Sequence, residues 1–196
     1  MALIRTFVAC NLPVKLVEAL RGYQLRLRDS LEGWRPGIRW TSPASFHMTL
    51  RFLGEIEEPL VAALGDALRR AAAGHRAFDY TLQAVGCFPT AQRARVIWAG
   101  AESEELGWLA ASVEREVQQI GLPPEEKPFH PHVTLGRLKS PLNLSGALSK
   151  VPLYPPTTVK VEEVVIYRSL LSPDGAVYDA LQCIPLVARA TAEEES

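Results

Sequence analysis

A chain of 196 residues, 47% of them hydrophobic and 22% charged, is long enough to bury a core without disulfides or a structural metal, and its balance is that of a globular protein rather than a disordered one. The formal net charge of −1 excludes the broad positive field of a non-specific nucleic-acid binder. Three scattered cysteines, Cys10, Cys87 and Cys183, form no C-x-x-C pair and no disulfide framework, which points to a reducing cytoplasm; no stretch has the length of a signal h-region or a membrane span.

In chain order, residues 3–10 read as a buried strand, and Pro13 opens a helix whose apolar positions Val14, Val17, Leu20, Leu25 and Leu27 carry it to about Asp29. A turn rich in Gly and Pro (Gly33, Pro36, Gly37) precedes a short strand at 38–40 and a second at 46–53. Residues 57–73 form a helix stopped by Gly74, and strands at 78–87 and 95–100 lead to a helix at 103–120 stopped by Gly121. A Pro-rich loop, 123–128, feeds a strand at 132–138; residues 159–171, the turn Pro173-Asp174-Gly175 and the run 177–184 make a hairpin. Short turns between strands predict an α+β fold with mainly antiparallel sheets, one domain over residues 1–190, and an acidic tail at 191–196.

One pattern occurs twice, His47-Met48-Thr49-Leu50 and His132-Val133-Thr134-Leu135, 85 residues apart. A single copy is weak, because any strand with a polar outer face supplies one; the duplication is informative. On a strand, i and i+2 share a face, so each His and Thr line one surface roughly 6.6 Å apart while the apolar partners face the core. Opening a cyclic phosphodiester with water needs a base for the nucleophile and an acid for the departing ribose oxygen, and imidazole serves as either near neutral pH. Threonine hydroxyls can hold the non-bridging oxygens without a metal.

At these residues the sequence resembles the RNA 2',3'-cyclic phosphodiesterases of bacteria and archaea, also called 2'-5' RNA ligases, within the two-histidine phosphoesterase superfamily. The resemblance extends to Arg5-Thr6-Phe7-Val8-Ala9, Ile38-Arg39-Trp40, the run from His47 to Gly54, Phe88-Pro89, the run from Arg95 to Gly100, the run from Phe129 to Arg137, and Tyr167-Arg168-Ser169 through Tyr178. It implies a two-lobed, pseudo-twofold α+β fold in which each lobe gives one His-x-Thr strand to a central cleft. It also implies hydrolysis of an RNA-terminal 2',3'-cyclic phosphate to a 2'-phosphate, with His47 as proton donor, His132 as proton acceptor and ligation as the reverse reaction. It nominates Arg137 as a phosphate or structural contact, with a plain salt bridge as the alternative, and His130 as a phosphate or ribose contact, with a supporting or surface role preferred; it calls for no cofactor, no membrane and no obligate protein partner.

Other readings stand beside this one. A non-catalytic nucleotide or RNA-end binding module could keep the same cleft, and a small cyclic nucleotide could replace RNA as substrate. His130 and His132 share a strand face, but no third metal ligand is indicated. Alternation puts Arg137 on the face opposite His132 unless a bulge at Gly136 turns it. Phe46, Phe129 and Phe52 flank the motifs as candidates for base stacking, with Phe52 assigned to the core by its parity with Met48 and Leu50. Arg35, Arg39, Arg51, Arg93 and Arg95 are candidates for upstream phosphates.

Overall fold

The computed structural model describes residues 2–150, 155–172 and 175–189. The elements are β1 (Leu3–Cys10), α1 (Val14–Ser30), β2 (Ile38–Trp40), β3 (Met48–Glu57), α2 (Leu60–Ala73), β4 (Phe78–Phe88), β5 (Ala94–Glu102), α3 (Glu104–Gln119), β6 (His132–Leu142), α4 (Ser145–Leu148), β7 (Thr157–Val161), β8 (Glu163–Ser172) and β9 (Gly175–Pro185). Pro173, Asp174, the side chain of Arg35 and the expected acidic tail lie outside the described residues.

The strands form two sheets with the orders β3-β1-β8-β9 and β2-β6-β5-β4-β7, and every neighbouring pair is antiparallel. Aligning the motif strands β3 and β6 makes β1 equivalent to β5, β8 to β4 and β9 to β7. The α+β, two-lobed, pseudo-twofold architecture is therefore present, with β2 as an extra strand beside β6. Strands β3 and β6, each from its own sheet, touch at the join.

The helices cover the outer faces with their apolar sides. Leu64, Leu68, Ala71 and Ala72 of α2 and Leu106, Leu109, Val113 and Val117 of α3 are buried, and the two helices pack on each other. Arg70 Nε donates to Glu116 Oε2 across that seam at 2.8 Å. Ser103 caps α3 by accepting from the Leu106 amide at 3.2 Å.

Two expectations are corrected. Residues 159–171 are two strands rather than one: the chain leaves the second sheet after Val161 and enters the first at Glu163, so Val159 and Val161 serve one core face while Val164 and Ile166 serve the other. The strand expected at 46–53 begins at Met48, runs on to Glu57 and delays the following helix to Leu60.

A pair of bulges matters more than these boundaries. In β1–β3, Ala9 pairs with Thr49 but Val8 pairs with Arg51, so Leu50 is the extra residue. In β5–β6, Trp98 pairs with Thr134 but Ile97 pairs with Gly136, so Leu135 is the extra residue. Leu50 and Leu135 are equivalent positions of the two motifs, and each bulge reverses the inward and outward alternation beyond it. The carbonyl of Leu135 is held by the buried Gln24 side chain of α1 at 2.8 Å and by the Thr41 amide at 3.0 Å.

Candidate active site

His47 stands at the head of β3. Its Nδ1 lies 2.8 Å from the Ser45 carbonyl oxygen. His132 opens β6 with its Nδ1 2.7 Å from the His130 carbonyl oxygen. A carbonyl only accepts, so each Nδ1 carries the proton and donates, which leaves Nε2 as the nitrogen free to exchange a proton. Ser45 and His130 each stand two residues before their histidine, so both lobes use one device.

The surroundings of the two rings differ. His47 packs on Phe7, with ring centroids 4.7 Å apart, and meets Tyr178 edge-on at 5.0 Å. Burial pushes its pKa down to about 4; the bond to Ser45 opposes this, while the charges of His132 and Arg137 add to it. His132 meets Phe88 edge-on at 5.0 Å. Burial lowers its pKa as well, against the bond to His130 and with help from the charges of His130 and Arg137. The charges of His132 and Arg137 bear on His47, that of Arg137 bears on His132, and both shifts favour the neutral imidazole.

Thr49 and Thr134 follow their histidines by two residues and are both half-buried. Among the described residues, neither hydroxyl has a protein hydrogen-bond partner. Thr49, Phe52, Phe88, His130, His132 and Arg137 line a cavity of about 1030 Å³ that continues between α3 and the loop before β6.

The bulges decide the residues beyond the motifs. Arg137 reaches the cavity on the same side as His132, resolving the alternative left open by alternation. Phe52, expected in the core, is turned toward the cleft, where it is 46% exposed and lies 5.9 Å from the Phe7 ring. His130 lines the cavity, with its ring 4.9 Å from Trp98 and 5.2 Å from Phe88. Phe129 also lines it, although partly buried against the core.

Two candidates do not fit a substrate role. Phe46 is 7% exposed and belongs to the hydrophobic core, so it has no face to offer a base. Arg51 is equally buried: Nε donates to Glu114 at 2.5 Å, Nη1 to Glu125 at 3.1 Å and to the Phe52 carbonyl, and Nη2 to the Pro123 carbonyl at 2.5 Å. It ties β3 of one lobe to α3 and the Pro-rich loop of the other. Arg39 and Arg93 are not among the residues that line the cavity.

Sequence reasoning did not single out Phe7, Tyr167 and Tyr178, which wall the His47 side; Tyr167 stacks on Phe7 at 5.2 Å and Tyr178 meets it edge-on at 4.9 Å. The signal that could have found them is cross-strand pairing, since Phe7 lies opposite both Phe52 and Tyr167. Among the described residues, no three His, Cys, Asp or Glu side chains gather as metal ligands, and no helix is long and apolar enough to cross a membrane.

The comparisons with known proteins agree with this geometry. The family model described as the 2'-5' RNA ligase superfamily matches residues 14–172. An RNA 2',3'-cyclic phosphodiesterase of Methanothermobacter thermautotrophicus is 30% identical over 190 residues, covering 93% of this chain and 99% of that protein. The crystal structure of TT0787 from Thermus thermophilus superposes with a TM-score of 0.78 at 30% identity, covering 95% of this chain and all of the other. That of LigT from E. coli complexed with 3'-AMP gives 0.73 at 26% identity, covering 94% and 99%.

Proposed function

The chain belongs to the 2'-5' RNA ligase superfamily, and from that premise we propose that it hydrolyses an RNA-terminal 2',3'-cyclic phosphate to a 2'-phosphate with His47 and His132 as its acid and base. The observation that carries this reading is the pair of imidazoles, one per lobe, each fixed through Nδ1 to the carbonyl two residues before it, with the charge of His132 reaching His47.

In the proposed reaction, His132 Nε2 takes a proton from water as its oxygen bonds to phosphorus. His47 Nε2 gives a proton to O3' as the P–O3' bond breaks, leaving the phosphate on O2'. Arg137 and the hydroxyls of Thr49 and Thr134 hold the non-bridging oxygens, where negative charge develops. Phe52 offers its exposed face to the terminal base. The same steps reversed, with an RNA hydroxyl in place of water, would join ends.

A proton donor must arrive protonated, yet burial holds His47 well below neutrality. The cyclic phosphate supplies the missing charge: an anion between the histidines offsets Arg137 and draws a proton onto one imidazole. Substrate binding therefore takes up a proton, and the affinity for a 2'-phosphorylated product rises as the pH falls from 8 toward 6.

Residues 1–190 are read as one domain, since a single cluster of buried side chains runs through both lobes. A reducing cytoplasm is the proposed location, consistent with three free cysteines, two of them buried. The test is a short RNA bearing a terminal 2',3'-cyclic phosphate, with its product identified by phosphorus NMR. A 2'-phosphate is expected from the wild type and almost none from His47→Ala or His132→Ala; a 3'-phosphate product, or binding without turnover, sinks the proposal.

A further inference from the structure

We infer that the cavity continues beyond the reacting phosphate into a second subsite, in which Arg95 and Lys127 bind the phosphodiester one nucleotide upstream; this rests on the reading of the cleft as an RNA-end site. A pocket for one small ligand typically measures roughly 300–1,000 Å³, and this cavity, at about 1030 Å³, stands at the top of that range. Thr49, His132 and Arg137 occupy its catalytic end. Its far side runs along α3 at Gly107, Ala110 and Ala111, whose small side chains leave the space open.

The charges in that far part are unequal. Glu114 and Glu125 line the wall, but both are bound to Arg51. Arg95 and Lys127 line the same cavity, and among the described residues neither has an ion-pair partner. The cleft thus holds free positive charge in a chain whose formal net charge is −1. Of the nominated arginines whose side chains are described, Arg95 alone both lines the cavity and lacks a protein partner among the described residues.

Its position suits a neighbouring phosphate. Val96 pairs with Arg137, and the register breaks between Ala94 and Val96, so Arg95 and Val96 both reach the cavity instead of pointing to opposite faces. Strand spacing and rise put the Arg95 and Arg137 Cα atoms about 6 Å apart. Arg137 attends the reacting phosphate while Arg95, with Lys127 from the loop, meets the next charge along the strand. The chemistry recognised is an anionic linkage, not a base, so the subsite is sequence-tolerant.

The experiment compares kcat/KM for a nucleoside 2',3'-cyclic phosphate, a dinucleotide with the same terminus, and that dinucleotide carrying a neutral methylphosphonate at its internal linkage. The wild type is expected to favour the charged dinucleotide over the mononucleotide by about 10-fold, the scale of charge-assisted phosphate contacts, and the neutral linkage should remove most of that preference. In the double variant Arg95→Gln with Lys127→Gln, the charged and neutral dinucleotides should become equal. Equal preference for both linkages in the wild type, or no preference for either dinucleotide, overturns the subsite. If the wild type turns over none of the three, the catalytic reading fails. Calorimetric affinity for the charged and neutral dinucleotides with a 2'-phosphate then decides the subsite alone: a difference supports it and equality overturns it.

Discussion

The lobes around His47 and His132 share a strand, a bulge and a carbonyl anchor, and then diverge within five residues. Beyond the bulge, the first lobe has Arg51 and Phe52 where the second has Gly136 and Arg137. At Gly136 a side chain would meet Trp40 at 3.2 Å and Ile38 at 3.3 Å, because β2 covers that strand. Among the described residues, strand β3 is an edge with no such neighbour, so Arg51 can reach across to the other lobe. At the next position one lobe offers the cleft an aromatic face and the other a cation. The symmetric parts place the histidines, and the asymmetric ones, on the proposed reading, give the cleft a base side and a phosphate side.

The sharpest break in the comparison should come from the histidines. His47→Ala and His132→Ala should each lower kcat by about 10²- to 10⁴-fold with the fold intact by circular dichroism. A substrate whose 3' bridging oxygen is replaced by sulfur has a leaving group that needs no proton. It should restore turnover to His47→Ala and not to His132→Ala; equal restoration of both, or of His132→Ala alone, would reverse or void the assignment.

Next in size are the residues that differ between lobes. Arg137→Ala should lower kcat by about 10²- to 10³-fold, the loss typical of removing a donor to developing negative charge. Phe52→Ala should instead act mainly through KM, by about 5- to 100-fold, the scale of one base stack. If both act on the same kinetic parameter, the division into base and phosphate sides is wrong.

Arg51 joins the halves, so its loss should register as stability. Arg51→Met leaves Glu114 and Glu125 without their cation. Removing one partner of a buried pair costs about 3–5 kcal/mol; the carboxylates here are partly exposed, so a loss of about 2 kcal/mol is expected in urea unfolding. An unchanged midpoint would deny the inter-lobe tie.

The duplicated motif made the proposed acid and base legible, since two copies of His-x-Thr at strand spacing carry both chemistry and geometry. The element order was legible too, from apolar periodicity and from the stops at Gly74 and Gly121. The faces beyond the motifs were not. Leu50 and Leu135 are ordinary strand residues, and nothing in their type shows that each is the extra residue of a bulge, so parity misplaced Phe52 and left Arg137 undecided. The buried network of Arg51 was hidden for another reason: its partners Glu114 and Glu125 lie more than 60 residues away in sequence. Tyr178, from the far end of the chain, covers His47 through a contact that only the completed sheet creates.

The smallest expected effect separates the lobes by proton affinity rather than by rate. Burial between Phe7 and Tyr178 lowers the His47 pKa from 6.5 to about 4, so as the pH falls below 6.5 the unfolded chain takes up a proton that the folded one refuses. Stability is then lost between pH 6.5 and 4, by no more than about 3 kcal/mol for this group, and by less where solvent reaches the ring. The bond to Ser45 opposes this sign and the charges of His132 and Arg137 reinforce it. Replacing His47 with Gln removes the titration, and urea midpoints measured from pH 7 to 4.5 should fall less steeply in His47→Gln than in the wild type. His132→Gln should flatten the profile by a smaller amount. Parallel profiles for all three proteins would mean that the enclosing rings do not set His47 apart, and that the two lobes are electrostatic equals.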